Sequence, residues 1–290
     1  RELQLLGERA GRAGLILESA YVGGGTPTTL DTPLLGRILA AVRKNFTFVP
    51  GAEFTVEAGR PDTFTPEKCG VMKEAGVTRV SVNPQSLCEE VLRRAGRPHT
   101  ARQAEDALRM AREAGFGTLN MDLIAGLEGD TPETFAASLR QVMEWGPENI
   151  TVHALSVKRS AWLAEERGTV LAHDTARESV ALSCRMLMEA YRPYYLYRQK
   201  NTVGNLENTG WSLPGHESLY NVRIMDENQT ILSAGAGGVT KLAAPDAAER
   251  KIQRIFHCKY PYEYISRFEG ECAKLSEVEK FYGICPANVL

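Results

Sequence analysis

The clearest potential for chemistry lies in three consecutive glycines followed by Thr-Pro-Thr, at residues 23–28. The apolar residues Ala20, Tyr21 and Val22 precede them and have the composition of a buried strand. Glycine costs backbone entropy inside a regular element, so three together indicate unusual dihedral angles or the close approach of a ligand. Backbone amides at the carboxyl end of a buried strand suit a small polar ligand. A tight turn without a ligand explains an isolated glycine run equally well.

The same pattern recurs along the first half of the chain, where a polar or glycine-rich cluster follows each predicted strand. These clusters occupy residues 23–28, 57–61, 83–86 and 122–129. In a parallel barrel, the carboxyl ends of the strands form the face on which active sites lie. Asp122 lies at the end of an otherwise apolar strand, and a buried carboxylate needs partners. The sequence therefore predicts one site built from several loops.

The elements that position these clusters alternate between strand and helix over residues 1–155. Strands are predicted at 20–22, 54–57, 77–82, 118–124 and 150–155. Several of the intervening helices have typical starts, because Thr65, Thr100 and Thr131 can each cap a helix and Pro66 and Pro132 suit its first position. Repeated strand–helix pairs predict parallel strands with right-handed crossovers, and therefore an α/β fold.

The regular alternation of strand and helix signals ends at about residue 157, which predicts a second region. We expect an amphipathic helix at 174–191 and an aromatic, basic strand at 193–201. Residues 219–225 and 229–233 are separated by three polar residues, a pattern typical of an antiparallel hairpin. The predicted domains are therefore 1–192, a partial barrel, and 193–290, a substrate-covering region with a hairpin and helices.

Composition excludes several classes of protein. The chain has 290 residues, 43% hydrophobic and 24% charged, as in ordinary globular proteins, and its net charge of −2 offers no general attraction for nucleic acid. No apolar run approaches a membrane span, and the six cysteines are scattered as in proteins of a reducing compartment. We expect a cytoplasmic protein with no nucleic-acid partner. The start at Arg1, inside a charged helix, predicts a fragment of a longer protein.

Five motifs in one order carry a family resemblance: YVGGGTPT, VEAGRPDT, RVSVNPQSL, GRPHT and NMDLIAGL. On these motifs the chain resembles the radical S-adenosylmethionine (SAM) enzymes related to oxygen-independent coproporphyrinogen III oxidase. Three later segments, RPYYLYRQKN, GNLENTGWS and LYNVRIMDENQTILSAGAGG, most resemble the HemZ-type coproporphyrinogen dehydrogenase branch. The resemblance covers nearly the whole chain.

The resemblance implies a partial (β/α)6 barrel with a [4Fe–4S] cluster at its mouth, followed by a C-terminal α+β extension. In that family, three cluster cysteines lie in a Cys-x3-Cys-x2-Cys loop after the first strand, ahead of the glycine motif. No cysteines of this sequence have that spacing. The expectation is that the first strand and cluster loop are missing, that the intact parent protein carries the cluster, and that this chain alone is inactive.

The resemblance also assigns a SAM site without a catalytic side chain or metal ligand from this chain. SAM carries an aminocarboxylate, a ribose diol and an adenine, so its site needs acceptors, a cation and free backbone groups. The implied residues are Gly23, Gly24, Gly25 and Thr26 for the methionyl amine, Arg97 for the carboxylate, and Glu57, Gln85 and Asp122 for the ribose and nearby polar groups. Taken singly, Arg97 is also typical of a solvated surface charge and Glu57 of a strand-end cap. His99 is interpreted as a loop histidine, and the cysteines as structural.

The function implied is the radical decarboxylation of coproporphyrinogen III propionates to give protoporphyrinogen IX in haem biosynthesis. The expected partners are the porphyrinogen substrate and an electron donor for the cluster. The alternative is a haem-binding chaperone of the same superfamily, which transfers haem rather than making it.

Four propionates on the substrate require cations beside a flat apolar surface. In an extended strand, Tyr195, Tyr197 and Gln199 share one face, while Arg198 and Lys200 share the other with Tyr194 and Leu196. We expect the second face to bring Arg198 and Lys200 to the barrel mouth, with Arg223 on the predicted hairpin as a further substrate-binding cation. The plainer alternative is a half-buried strand with solvated charges.

Overall fold

The computed structural model describes residues 1–156, 173–199, 202–244 and 251–284. The chain forms two compact units. The first contains Arg1–Ala20, Arg37–Ala52 and Leu219–Leu290, and the second contains Tyr21–Gly36 and Glu53–Ser218. No helix in the described ranges combines the length and apolar character needed to cross a membrane.

Seven strands form one sheet in the order β1-β2-β3-β4-β5-β7-β6. They are β1 (Leu17–Val22), β2 (Phe48–Glu57), β3 (Arg79–Gln85), β4 (Thr118–Ala125), β5 (Asn149–Ala154), β6 (Arg192–Tyr197) and β7 (Asn208–Ser212). Strands β2 to β5 pair in parallel, whereas β7 pairs antiparallel with both β5 and β6. The sheet is a curled half-barrel, which confirms the predicted α/β partial barrel.

Helices connect the parallel strands as predicted. They are α1 (Glu2–Arg12), α2 (Thr32–Asn45), α3 (Pro66–Glu74), α4 (Glu89–Arg94), α5 (Ala101–Glu113) and α6 (Pro132–Trp145), followed by α7 (His173–Leu187). Thr65, Thr100 and Thr131 each accept a hydrogen bond from the first-turn backbone, which confirms the three predicted caps. Gly146 ends α6 in the left-handed conformation, with φ of 63°.

The alternation of side chains along β4 separates an apolar face from a polar one. Leu119, Met121 and Leu123 are at most 1% exposed and belong to the hydrophobic core. Asn120 and Asp122 lie between them on the opposite face and are partly exposed. Because successive side chains of a strand point to opposite faces, burial of these three apolar residues fixes Asp122 on the polar face of the sheet.

Two sequence predictions need correction. A loop is predicted at residues 83–86, but β3 continues to Gln85 after a register shift at Val82. The predicted hairpin is wrong, because residues 219–225 form helix α8 (Leu219–Asp226) and Ile231 makes only an isolated bridge to Lys241. A short apolar run satisfies both helical and strand periods, so the sequence pattern does not distinguish them. The predicted boundary at residue 192 stays a prediction, although β6 and β7 lie beyond it in the same sheet.

The first unit has its own core. Its antiparallel pair is β8 (Val239–Ala243) with β9 (Ile252–Phe256), followed by α9 (Pro261–Ser266), α10 (Phe268–Lys274) and α11 (Ser276–Phe281). The buried side chains of this core come from α1, both strands and the C-terminal segment: Leu6, Leu242, Ile255, Leu275 and Val278. Apolar residues that are far apart in the sequence therefore form the hydrophobic core of this unit.

A buried polar cluster adds to that core. His257 has no exposed side-chain surface, and its ring lies between two carboxylates, with Nδ1 2.8 Å from Glu271 and Nε2 3.4 Å from Glu2. Glu271 also accepts hydrogen bonds from Cys258 Sγ at 3.2 Å and Lys274 Nζ at 2.8 Å. Burial disfavours the Glu271 carboxylate, but the hydrogen bonds from Lys274, Cys258 and His257 lower its pKa to about 2.

Replacement of Glu271 by glutamine tests this cluster. We expect a loss of about 1.5–3 kcal/mol in the free energy of unfolding at pH 7, the range for hydrogen bonds to charged groups. Because the folded-state pKa is depressed, this contribution is complete above the ordinary value of 4.5 and is lost as the pH falls toward 2. Urea unfolding should therefore show a smaller difference between wild type and Glu271→Gln at pH 3 than at pH 7.

Glu269 offers a matched control on the same helix, since its side chain is 74% exposed and pairs with Arg1. Glu269→Gln should change the free energy of unfolding by less than about 1 kcal/mol. An equal penalty for Glu271→Gln at both pH values would contradict the role given to its ionised carboxylate.

Candidate functional site

The glycine run after β1 is required by its surroundings. Gly24 and Gly25 have φ of 76° and 61°, in the left-handed region that favours glycine. Gly23 is constrained by space instead, since a Cβ there would lie 2.6 Å from the Tyr21 ring and 2.9 Å from Glu57 Oε2. The three glycines therefore keep a bare backbone beside a carboxylate at the end of the strand.

Glu57, the last residue of β2, is held in one orientation. The Tyr21 hydroxyl donates to Oε1 at 2.6 Å, and the Gly24 amide donates to Oε2 at 3.2 Å. Burial raises the pKa of Glu57 above its ordinary value, the hydrogen bond from Tyr21 opposes this, and the charge of Asp122 adds to the increase. A cation placed beside this carboxylate would favour its ionised form.

Hydrogen bonds from Lys68 hold the two segments that follow β1 and β2. Two 3₁₀ turns, Pro27–Thr29 and Pro61–Thr63, follow β1 and β2. Lys68 Nζ donates to the carbonyl groups of Thr28, at 2.5 Å, and Thr63, at 3.0 Å. The buried Thr28 hydroxyl also lies 2.7 Å from that of Thr63. One lysine therefore fixes the two loops relative to each other.

Gln85 combines two features of a ligand-binding residue. Its φ of 67° lies in the left-handed region, which is uncommon for a residue other than glycine. Its side chain is buried, and Oε1 has no hydrogen-bond partner within the described part of the chain. Because a buried acceptor without a partner is costly, the position suits a ligand that donates a hydrogen bond.

Asp122 has the partners that its burial requires. Asn120 Nδ2 donates to its Oδ1 at 2.7 Å, and His153 Nε2 lies 3.5 Å from its Oδ2. His153, on β5, is a site residue that sequence reasoning missed. The sequence did carry a signal for it. His153 lies two residues after Thr151, and therefore on the same face of β5, the strand that pairs with β4.

Arg97 lies in the loop after α4 and is partly buried. Burial lowers its pKa, with a further decrease from the charge of Arg60, whereas Asp62 raises it. Arg60 itself pairs with Asp62 at 2.6 Å. His99 Nε2 lies 2.9 Å from the Pro84 carbonyl oxygen, as expected of a histidine that holds its loop, here against the turn at Gln85.

The face of β6 that points toward Asp122 carries tyrosines rather than cations. The rings of Tyr195 and Tyr197 are nearly parallel, with centroids 6.0 Å apart. Tyr195 crosses β7 at Gly210, where a Cβ would lie 1.8 Å from its ring. The Tyr197 hydroxyl lies 3.5 Å from His153 Nδ1.

Three cations are predicted to bind substrate: Arg198, Lys200 and Arg223. Arg198 is 55% exposed and pairs with Glu207 at 3.0 Å. Arg223 lies on helix α8, in the other compact unit, where it pairs with Glu18 at 3.1 Å. Lys200 lies outside the described residues. Roles in substrate binding for these three residues stay predictions.

Within the described ranges, no group of three or more His, Cys, Asp or Glu side chains is placed to hold a metal ion. The five described cysteines are free thiols: Cys69, Cys88, Cys184, Cys258 and Cys272.

Comparison with known proteins connects this geometry to a family. Residues 2–142 match the Radical SAM superfamily. The chain is 39% identical to the oxygen-independent coproporphyrinogen-III oxidase-like protein HemZ of Bacillus subtilis, over 92% of the chain and 54% of the relative. It is 31% identical to the heme chaperone HemW of Mycobacterium tuberculosis, over 91% of the chain and 63% of the relative, and 28% identical to HemW of Escherichia coli, over 86% and 61%.

The chain therefore spans 54–63% of the length of these curated relatives. Among solved structures, it superimposes on coproporphyrinogen III oxidase from Escherichia coli with a TM-score of 0.69 and 19% identity. That likeness covers 97% of this chain and 71% of the other, and it shows a shared fold.

The buried charge at Glu57 leads to a stability prediction. A raised folded-state pKa means that the native protein binds the proton more tightly than the unfolded chain, so stability falls as the pH rises from 4.5 through the folded pKa. Without a bound ligand, Glu57→Gln should therefore unfold at a higher urea concentration than wild type at pH 8, and the gain should shrink toward pH 4. Tyr21→Phe, which removes a donor to the carboxylate, should lose stability at pH 8. A Glu57→Gln variant less stable than wild type at pH 8 contradicts this account.

The crossing at Gly210 leads to a second prediction. Gly210→Ala forces the Tyr195 ring away from β7 and should cost about 1–3 kcal/mol of unfolding free energy, as overpacking does. Gly70→Ala is the matched control, since Gly70 is an exposed helical residue and a Cβ added there would meet no atom within 4 Å. That change should stabilise by about 0.5–1 kcal/mol. Urea unfolding with the same sign for both variants contradicts the steric role of Gly210.

Proposed function

Because residues 2–142 belong to the radical SAM superfamily, we propose that the strand-end site of this chain binds SAM and that the protein acts on a coproporphyrinogen-type tetrapyrrole. The proposed reaction is the oxidative decarboxylation of propionate side chains. The observation that carries the proposal is the Glu57 carboxylate, oriented by Tyr21 and Gly24 beside a bare glycine backbone. The 39% identity to the HemZ protein supports the choice of substrate.

The residues of the site fit the chemical groups of SAM. The ionised Glu57 is a partner for the methionyl ammonium group, and a side chain at Gly23 would crowd this carboxylate, since its Cβ would lie 2.9 Å from Oε2. Arg97 offers a guanidinium for the carboxylate, where a bidentate pair is favourable. Gln85 Oε1, buried without a hydrogen-bond partner in the described part of the chain, and Asp122 are acceptors for the ribose hydroxyls. Gly24, Gly25 and Thr26 complete the wall of this site.

The roles of these residues are binding and orientation. Tyr21 and Gly24 each hold one oxygen of Glu57, which fixes the direction from which an ammonium group is received. Asn120 and His153 hold the two oxygens of Asp122 in the same way. When bound in this superfamily, SAM supplies the radical chemistry, and the protein supplies position.

The iron–sulfur cluster that the family uses does not fit the described residues. Cluster irons need thiolate ligands held close together. None of the five described cysteines belongs to a group placed to hold a metal ion. An external electron donor and a cytoplasmic location belong to the proposal as predictions.

Haem transfer is a second candidate function. Its support is the similarity to heme chaperones, at 28–31% identity over 86–91% of the chain. The higher identity to the HemZ protein favours the decarboxylase. Stoichiometric haem binding by the protein, with no 5′-deoxyadenosine and no carbon dioxide formed from coproporphyrinogen III under anaerobic reducing conditions, would reverse that preference.

SAM binding by the chain itself is the first test. Isothermal titration should detect binding to wild type, and Glu57→Gln should weaken it by about tenfold or more, because a charge-assisted hydrogen bond is worth about 1.5–3 kcal/mol. Glu207→Gln is the matched control, since Glu207 is a 46% exposed partner of Arg198, and it should bind SAM as wild type does. Equal affinities for wild type and Glu57→Gln contradict the assigned site.

A further inference from the structure

Three hydrogen-bonding side chains are neighbours on the polar face of the sheet. They are His153 on β5, Tyr197 on β6 and Asn208 on β7. The Tyr197 hydroxyl lies 3.5 Å from His153 Nδ1, and Asn208 faces Tyr197 across the ladder between β6 and β7.

Asn208 supplies an independent sign of a missing partner. Its side chain is fully buried, and its Oδ1 accepts a hydrogen bond from the Ala154 amide at 2.8 Å. Its Nδ2 has no hydrogen bond of normal geometry among the residues that the structure describes. Burial raises the pKa of the Tyr197 hydroxyl, and the nearby Asn208 amide opposes that increase. A buried donor without a well-placed acceptor is costly, so this group is suited to a ligand oxygen.

The contacts of His153 are long for hydrogen bonds. Both ring nitrogens have a partner at 3.5 Å, Asp122 Oδ2 on one side and the Tyr197 hydroxyl on the other. The charged and titratable groups that face the ring are Asp122 on β4, Glu57 on β2 and Tyr197 on β6. An imidazole that is protonated on both nitrogens donates from Nδ1 as well as from Nε2.

Protonation of His153 also turns the Tyr197 hydroxyl into a donor for the ligand. With a neutral ring that is protonated at Nε2, Nδ1 accepts the hydroxyl proton. With both nitrogens protonated, Nδ1 donates instead, and the hydroxyl oxygen also receives Gln199 Nε2 at 3.3 Å. Its proton then points elsewhere. Three neighbouring donors are then available: His153 Nδ1, Tyr197 OH and Asn208 Nδ2.

We propose that His153, Tyr197 and Asn208 form a carboxylate-binding site that receives a propionate group of the tetrapyrrole. The proposal rests on the proposed function for the identity of that ligand, and it deepens it by naming the residues that recognise the substrate. The nearly parallel rings of Tyr195 and Tyr197 lie beside the donors and offer an apolar surface to the macrocycle.

Arg198 is a poorer candidate for the same task. Its side chain follows Tyr197 on the opposite face of an extended segment, and it is paired with Glu207 at 55% exposure. The neighbouring Leu196 is 56% exposed, which places that face toward solvent. Recognition of the carboxylate is therefore assigned to the tyrosine face.

Two probes that differ only in charge test the site. Coproporphyrin III carries free propionates, and its tetramethyl ester carries none. Fluorescence titration of wild type at pH 6 should show binding of the acid about tenfold to hundredfold tighter than the ester, as charge-assisted hydrogen bonds allow. His153→Gln should reduce this preference by about tenfold or more and leave ester binding within about twofold. Arg198→Gln, the matched charge-removing control, should keep the preference.

A second variant separates recognition from a structural role. Asn208→Asp keeps the oxygen that accepts from the Ala154 amide but replaces the donor Nδ2 by an oxygen. It should therefore reduce the preference for the acid and leave ester binding within about twofold. Loss of the preference in Arg198→Gln but not in His153→Gln, or a wild type without any preference for the acid, overturns the proposal.

Failure of this proposal is distinguishable from failure of the proposed function. Glu57→Gln should lose SAM affinity and keep the preference for the acid, whereas Tyr197→Phe, which removes one donor of the carboxylate site, should still bind SAM. A wild type that binds no SAM contradicts the proposed function, while the comparison of acid and ester decides the carboxylate site. Iron protoporphyrin IX, a dicarboxylate, in the same titration distinguishes the two sources of propionate: tighter binding than coproporphyrin III would assign the site to haem and overturn its assignment to the tetracarboxylate substrate.

Discussion

The described site depends on a carboxylate held against a backbone that has no side chain. Glu57 is partly desolvated, which raises its pKa, and it is fixed by a tyrosine hydroxyl and a backbone amide. A Cβ at Gly23 would lie 2.9 Å from the same carboxylate, so the acid in this position requires the glycine. The ionised carboxylate is therefore electrostatically unfavourable without a partner, and a bound cation would stabilise it. Binding sites commonly trade stability for function in this way.

The parallel sheet converts this local arrangement into a larger polar surface. Apolar residues of β4 are buried on one face, so Asn120 and Asp122 must lie on the other. Hydrogen bonds then cross from strand to strand, with Asn120 Nδ2 donating to Ser81 at 2.7 Å and the Thr151 hydroxyl donating to Asn120 at 3.1 Å. The antiparallel strands β7 and β6 continue that surface with aromatic rings. The Tyr195 ring can lie against β7 because Gly210 has no side chain at the point of contact.

Much of this was readable from the sequence. The alternating strands, the threonine caps and the polar clusters after each strand depend on local physics: side-chain periodicity, capping and the freedom of glycine. The family resemblance supplied the partial barrel and assigned Glu57, Gln85 and Asp122 to one site. The local rules themselves predicted parallel strands in an α/β fold. They failed where local pattern is ambiguous, as at residues 219–225, where an apolar run fits a helix as well as a strand.

The sequence by itself determined strands β1 to β5 and the polar groups at their carboxyl ends, because both follow from spacing along the chain. Only the tertiary structure decided which face of β6 meets the polar surface. Strand alternation defines two faces for residues 194–199 but contains no information about which one is inward, and packing across β7 selected the tyrosines over Arg198. Spacing places His153 on the same face of β5 as Thr151, but it does not mark His153 or Asn208 as site residues. Both residues become site candidates through contacts with residues on other strands. Strand pairing in space makes these contacts, and position in the sequence does not predict them.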